Sequence, residues 1–408
     1  MNYKIKTTSK FIVIAALILN SCGTGKKKTS GPDSAAILDL NVSKTKEILK
    51  EFEGVDGFAR NIPKNKTNWE LVGVKDWCSG FWPGFLWYAY EYSGDEFIKK
   101  EAERFTAPIK SIAYSPAKNH DIGFMVFNSF GNGYRLTGNK EYKNVLLAAA
   151  DTLATLYNPK VGSILSWPTQ KKYRHNTIID NMMNLELLFW ASKNGGKKQL
   201  YDIAESHAKV TMTNLLRSDG SLYHVGSFNE ETGEFIKGVT HQGYADNSMW
   251  ARGQSWGIYG FAMAYRETGN PDFMETSIKL ADHFLKRLPE DGIPFWDFDD
   301  PKIPNAPKDA SAAAIAACGM LELSASVENS MLKAKYVKAA KRFIQILSSD
   351  TYLSGDANQA ILLHSTGHHP NNSEVDVPII YADYYFMEAL LRLKSIEEAK
   401  ENQELVKS

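Results

Sequence analysis

From about residue 40 onward, apolar positions recur with the 3.6-residue period of helices, and strand-like alternation is scarce. Two kinds of helix alternate along the chain. One kind is aromatic or small on nearly every face, as in Asp309-Ala310-Ser311-Ala312-Ala313-Ala314-Ile315-Ala316. It falls at roughly 77–93, 121–137, 180–194, 250–268, 309–326 and 381–394. The other kind has one charged face and falls at roughly 43–53, 96–113, 140–156, 197–216, 271–288 and 331–348. A helix that is apolar all round is buried, whereas a helix with one wet face lies outside. The junctions repeat as well. Ser93-Gly94-Asp95, Thr137-Gly138-Asn139 and Thr268-Gly269-Asn270 each offer a Gly to stop one helix and an Asp or Asn to cap the next.

Six buried helices alternating with six outer ones predict an all-α fold, an (α/α)6 barrel. Repeats of this length also build open solenoids, but the absence of distinct capping repeats favours a closed ring. The segment 219–240 breaks the pattern. Its runs 221–225 and 234–238, separated by Thr232-Gly233, predict a small β-hairpin loop over one end of the barrel.

The chain ends read differently. Lys4, Lys6 and Lys10 precede an apolar stretch, 11–19, that is too short to span a bilayer. It runs into Leu19-Asn20-Ser21-Cys22, which resembles a bacterial lipobox. Residues 1–22 are therefore expected to be a lipoprotein signal peptide, with Cys22 the lipidated residue and the only membrane attachment. Residues 23–40 read as a flexible tether, 41–396 as a single catalytic domain and 397–408 as a polar C-terminal tail. Lys26, Lys27 and Lys28 follow the Cys without an acidic run, which favours a periplasm-facing anchor over the cell surface. Cys78 and Cys318 sit in apolar patterns and read as buried thiols.

Composition narrows the function. The 47 Lys and Arg balance 47 Asp and Glu, so a general polyanion binder is excluded and nucleic acid is not an expected partner. Local cations can still hold a small acidic ligand. Aromatic residues make up 12% of the chain; they serve the core, and they are also surfaces on which sugar rings stack. No nucleophile elbow, phosphate-binding loop or dinucleotide fingerprint is present. His364, His368 and His369 lie close together but lack the spacing of a metal site.

Asp76, Asp121, Asp180, Asp309 and Asp383 lie near the starts of inner helices, and Asp246 lies shortly before the remaining one. Asp at a helix start ordinarily caps it. In a ring of inner helices, however, these positions also converge on one funnel, where acid/base carboxylates would be found. Two members stand out. His120-Asp121-Ile122-Gly123-Phe124 places a His beside the acid and a Gly that permits close approach. Ile178-Ile179-Asp180-Asn181-Met182 places the acid after an apolar run, which raises a carboxyl pKa, while the helix N-terminus pushes it the other way. A third cluster, 241–256, concentrates polar groups, two Trp and Arg252, a residue suited to gripping a carboxylate.

Together these stretches resemble the unsaturated glucuronyl hydrolases of glycoside hydrolase family 88, over about 40–395. The carriers are 76–84, His120 to Phe124, Asp180 to Asn184, His241 to Trp256, and Ala382-Asp383-Tyr384-Tyr385-Phe386. The resemblance implies an (α/α)6 barrel with no metal and no organic cofactor, acting as a monomer on unsaturated di- or oligosaccharides. It implies hydration of the C4=C5 double bond that a polysaccharide lyase leaves on a terminal uronic acid. Asp180 is then the general acid and base, and Asp121 the second carboxylate. Trp77, Trp82, His120, Trp167, His224, His241, Gln242, Trp250, Arg252, Trp256 and His368 are the implied substrate-binding set, with Arg252 near the substrate carboxylate. The loop 364–373 is where related enzymes differ, some of them recognising a sulfate there. Rhamnogalacturonyl hydrolases share this fold and are the nearest alternative. A glycan-binding lipoprotein without catalysis is the other, although it has no need of both acids.

Overall fold

The computed structural model describes residues 33–405 apart from 171 and 173. The signal peptide expected at 1–22, with Cys22, lies outside the described residues. In chain order the helices are α1 (Ser34–Glu51), α2 (Phe81–Ser93), α3 (Glu96–Thr106), α4 (Lys110–Ala113), a π-helix (Gly123–Gly131) that runs on into α5 (Asn132–Thr137), and α6 (Lys140–Ala154). They continue as α7 (Asn181–Lys193), α8 (Gln199–Leu215), α9 (Ala251–Thr268), α10 (Pro271–Arg287), α11 (Ala310–Ser326), α12 (Ser330–Leu347) and α13 (Ile380–Leu405).

The inner ring is α2, the π-helix with α5, α7, α9, α11 and α13. Each packs against the next, and α13 packs back on α2, so the ring closes and the open solenoid is ruled out. The outer helices α1, α3, α6, α8, α10 and α12 cover the seams. The packing follows the sequence pattern: fifteen consecutive residues of α11, Ala310 to Ser324, are buried, whereas α10 buries only one face, including Phe273, Leu280 and Phe284. The junctions form as read. Gly94, Gly138 and Gly269 take φ of 64°, 67° and 71°, and their N–H groups donate to the carbonyls of Tyr90, Tyr134 and Tyr265. Asp95, Asn139 and Asn270 then cap the outer helices that follow.

Three boundaries differ from the sequence reading. The expected tether 23–40 is helical from Ser34: Asp33 accepts the N–H groups of Ala35 and Ala36, and Leu38 is fully buried where α1 packs on α2 and α13. The expected tail 397–408 continues α13 as far as Leu405, since no Gly or Pro interrupts its Glu-, Ala- and Lys-rich run. The second inner helix opens as a π-helix rather than an α-helix.

Small sheets cover the end of the barrel where the inner helices begin. The hairpin expected in 219–240 forms between Val225–Phe228 and Phe235–Val239, and a strand the sequence pattern did not reveal, His175–Ile178, pairs with its first arm. A second hairpin, Ser365–His368 with Ser373–Val377, lies at the same end. Cys78 and Cys318 are buried free thiols.

Candidate active site

Four of the six helix-start aspartates spend their carboxylates on structure. Asp309 accepts the N–H of Ser311 and the guanidinium of Arg252. Asp383 accepts the N–H groups of Ile361 and Leu362, both at 2.8 Å. Asp76 accepts from Cys78 N and Arg60, and Asp246 accepts from Thr240 N. Asp121 and Asp180 do otherwise. Asp180 stands at the N-cap of α7 without making a capping bond. Both line a cavity of about 270 Å³ at the mouth of the barrel.

The chain brings these two acids together through a close approach of the π-helix to α7. A Cβ on Gly123 would lie 2.6 Å from the Asn184 backbone, so only Gly fits there. The Phe124 N–H donates to Asn184 Oδ1 at 2.8 Å, and the amide nitrogen of Asn184 lies 3.4 Å from His120 Nδ1. π-Turns within helices are rare and concentrate at functional sites; this one begins two residues after Asp121.

Each acid has an imidazole beside it. His120 Nε2 is 3.4 Å from Asp121 Oδ1, and His224 Nε2 is 3.6 Å from Asp180 Oδ2. Burial drives the pKa of His120 down to about 3 and that of His224 well below its usual value, so both rings are neutral. Burial lifts the Asp180 carboxyl to about 6, against the opposing pull of Arg252, its own backbone N–H and the Trp256 indole. Burial also lifts Asp121 well above the ordinary range, helped by the charges of Asp180 and Asp76 and opposed by Arg60. Two neighbouring carboxyls of raised pKa retain a proton close to neutral pH. The arrangement can therefore donate a proton and take one back.

The implied binding residues fall into three groups. Trp77, His120, Trp167, His241, Gln242 and His368 line the cavity. His224, Trp250 and Trp256 are buried and do not line it: His224 lies beside Asp180, the Trp250 ring lies 4.5 Å from the His224 ring, and Trp256, fully buried, packs on Phe124. Trp82 and Arg252 are placed differently from the sequence reading. Trp82 is core, packed between Phe52 and Phe85, because its position on α2 faces the outer helices. Arg252 does not reach the cavity. Its guanidinium is 1% exposed and is taken up by Asp309 at 3.1 Å and by the carbonyls of Thr366 and Gly367 at 2.5 and 2.6 Å. It holds the 365–377 hairpin instead of facing a ligand.

The cavity wall also contains Arg60, Asn371, Ser373, Glu374 and Tyr381, which sequence reasoning did not single out. Asn371 and Ser373 fall in the loop marked as variable. Arg60 sits in the short strand Phe58–Asn61, where no periodicity or motif marks it. It donates to both oxygens of Glu374, at 2.7 and 3.1 Å, and to Asp76 at 2.6 Å.

A closed (α/α)6 barrel with a buried carboxyl pair at the helix-start end, under an aromatic and imidazole wall, is a glycosidase architecture. The chain belongs to glycosyl hydrolase family 88, whose family model matches residues 46–396. An unsaturated glucuronyl hydrolase of Formosa agariphila is 41% identical over 349 residues, covering 84% of this chain and 86% of the relative. A solved unsaturated glucuronyl hydrolase specific for heparin superposes with a TM-score of 0.84 at 40% identity, covering 89% of this chain and 98% of the other. A substituted unsaturated glucuronyl hydrolase described with dGlcA-Glc-Rha-Glc gives a TM-score of 0.83 at 35% identity, with 88% and 96% covered.

Proposed function

We propose that this protein is a glycosidase that removes a 4,5-unsaturated uronic acid from the non-reducing end of lyase-generated oligosaccharides, with Asp180 as acid and base. The observation that carries the assignment is the environment of Asp180: a carboxyl lifted by burial to about 6, freed from capping duty, at the wall of the cavity. A group that must protonate carbon and then accept a proton from water works best with a pKa near the operating pH.

The reaction follows from the substrate's vinyl ether. The Asp180 carboxyl delivers its proton to C4, and positive charge develops at C5 and the ring oxygen. The Asp180 carboxylate then takes a proton from the water that adds at C5. The hemiketal so formed opens by breaking the C5–O5 bond, and the hemiacetal left at C1 releases the next sugar. Asp121, whose burial and neighbours favour its protonated form, donates a hydrogen bond to the ring hydroxyls. Trp77 and Trp167 supply faces for the sugar ring.

The test is the ultraviolet absorbance of the conjugated double bond in unsaturated disaccharides. The purified protein should abolish it, and an unchanged absorbance across sulfated and non-sulfated substrates of several parent polysaccharides would overturn the reading. The same panel identifies the parent polysaccharide. A lipid anchor at Cys22 and a periplasm-facing location suit an exo-acting enzyme fed by imported fragments. Among the described residues no helix is long and apolar enough to cross a membrane. Radiolabelled fatty acid incorporated by the full chain, and lost in Cys22→Ala, tests the anchor.

A further inference from the structure

At the rim of the cavity two imidazole nitrogens face each other. His241 Nε2 and His368 Nε2 are 3.2 Å apart, with the rings at 80°. The two residues come from distant parts of the chain, one from the loop after the 225–239 hairpin and the other from the 365–377 hairpin. The Asn371 side-chain amide lies 3.1 Å from the same His368 nitrogen. Trp167 stands edge-on to His241 with ring centroids 5.1 Å apart and restrains that ring.

These separations match the edge of a metal coordination shell. A cation bonded to two imidazole nitrogens at about 2.05 Å, with the nitrogens 3.2 Å apart, would subtend an angle of roughly 100°, between octahedral and tetrahedral values. Turning the Asn371 amide about its last torsion exchanges its NH2 for its carbonyl oxygen, which supplies a third donor at the same spacing. Without an ion, the amide nitrogen and one imidazole N–H fill the gap with hydrogen bonds; an entering cation replaces both, with the amide turned and each ring's proton on Nδ1. Among the described residues no third His, Cys, Asp or Glu completes a cluster. The remaining positions therefore fall to water on the cavity side. Two imidazoles and an amide oxygen select borderline divalent ions such as Zn2+ and Cu2+ over Mg2+ and Ca2+.

We propose that His241 and His368, with Asn371, form a binding site for a divalent transition-metal ion at the mouth of the cavity, and that occupancy of this site blocks the entry of substrate. The inference goes beyond the catalytic reading: the ion takes no part in the reaction and acts as a reversible plug. Both histidines line the cavity with Asp121 and Asp180, so a hydrated ion held between them takes up space in the cavity that a sugar would otherwise enter.

The experiment uses full-length protein free of any histidine tag and stripped with a chelator. Zn2+ titrated into it without substrate should bind one equivalent by calorimetry, and Cu2+ should show an electron paramagnetic resonance spectrum with nitrogen ligands. His241→Ala and His368→Ala should each weaken binding at least tenfold, and His283→Ala should leave it unchanged. Unaltered melting temperatures of the metal-free variants establish that the fold is intact; Asn371→Ala, with a smaller weakening, is the milder check. Binding that persists in both histidine variants, or no binding at all, overturns the site. With unsaturated disaccharide, Zn2+ should raise the apparent KM at least fivefold and a chelator should restore it. Binding without that rise overturns the plug. The binding arm contains no substrate, so its failure is separate from any failure of the proposed glycosidase activity.

Discussion

His224 Nε2 lies 3.6 Å from Asp180 Oδ2, while Nδ1 of the same ring accepts the backbone N–H groups of His241 and Gln242, both at 3.1 Å. Two donors on Nδ1 fix the tautomer of a neutral imidazole: its one proton sits on Nε2, aimed at the carboxylate. The ring thus offers the anionic form of Asp180 a hydrogen bond that tightens as charge develops. His224→Ala is expected to lower kcat at least tenfold while changing KM little. It should also move the basic limb of the pH–rate profile upward, since losing a donor to the carboxylate makes it harder to ionise. A purely structural role would lower the melting temperature and leave the limb in place.

The raised pKa of Asp180 carries a stability cost that grows as pH rises. Burial lifts its carboxyl in the folded protein to about 6, above the ordinary 3.8. Below pH about 4 both folded and unfolded chains hold the proton, and there is no penalty. Between about 4 and 6 the unfolded chain releases it first, and stability falls. Above about 6 the full cost stands, of order 2–3 kcal/mol by linkage. Asp180→Asn should therefore abolish turnover yet raise the melting temperature at pH 7.5, with little gain at pH 4. In the wild type, kcat/KM should fall above about pH 6 as the acid form is lost. An equal melting shift at both pH values would remove the argument that this carboxyl is held in a disfavoured state.

How much of this was legible in the sequence depended on whether the signal was local. The two helix classes and the Gly-Asp and Gly-Asn junctions are periodic and local, and they located the barrel. Asp121 and Asp180 were legible because an apolar run and an adjacent Gly are written next to them. Arg252 shows the limit. A buried Arg and a ligand-facing Arg look alike in sequence, and what separates them is Asp309 and the carbonyls of Thr366 and Gly367, residues 57, 114 and 115 positions away. Arg60 is the converse case, a cation of the cavity wall defined by Glu374, 314 residues distant.

Arg252 holds its hairpin from inside the barrel, and only a guanidinium can serve Asp309 and two carbonyls in one plane. Arg252→Ala leaves a buried carboxylate unpaired, at a cost of about 3–5 kcal/mol. Arg252→Lys keeps a charge but cannot reach every acceptor. It should lower the melting temperature less than Arg252→Ala and still raise KM several-fold, since Gly367, His368 and Ser373 all belong to the cavity wall. A lysine variant with wild-type KM would show that the hairpin needs no such anchor.

Outside the barrel, the same hairpin is tied down by Arg60 and Glu374. The segment needs the tie: His364, Asn372, Glu374 and Asp376 all adopt positive φ, a conformation that costs free energy in non-Gly residues. Glu374→Gln keeps the shape but loses the bidentate pair. KM is expected to rise three- to tenfold with kcat within twofold, and limited proteolysis should cut faster in 364–376. Unchanged proteolysis would mean that the strain is balanced elsewhere.

The contact between the π-helix and α7 makes the sharpest prediction about placement of the two acids. Gly123 has no side chain, and a methyl group there would lie 2.6 Å from both the Cα and Oδ1 of Asn184. Neither can retreat cheaply. The Cα belongs to α7, and Oδ1 is held by the Phe124 N–H at 2.8 Å. Gly123→Ala must therefore push the two helices apart by a few tenths of an ångström or more, at an overpacking cost of about 1–3 kcal/mol. The displacement falls between Asp121, two residues before Gly123, and Asp180, four before Asn184. Misplacement on that scale separates catalysis from binding, because acid/base transfer depends more steeply on distance than ring stacking does. kcat is expected to fall at least thirtyfold, while the affinity for an unreactive saturated disaccharide, measured by calorimetry, falls less than fivefold. Asn184→Ala removes the Oδ1 part of the collision and leaves the Cα part, so the double variant Gly123→Ala/Asn184→Ala should recover only a part of the melting temperature lost by Gly123→Ala alone. Independent, additive losses in the double variant would show that this contact does not set the spacing of the acids.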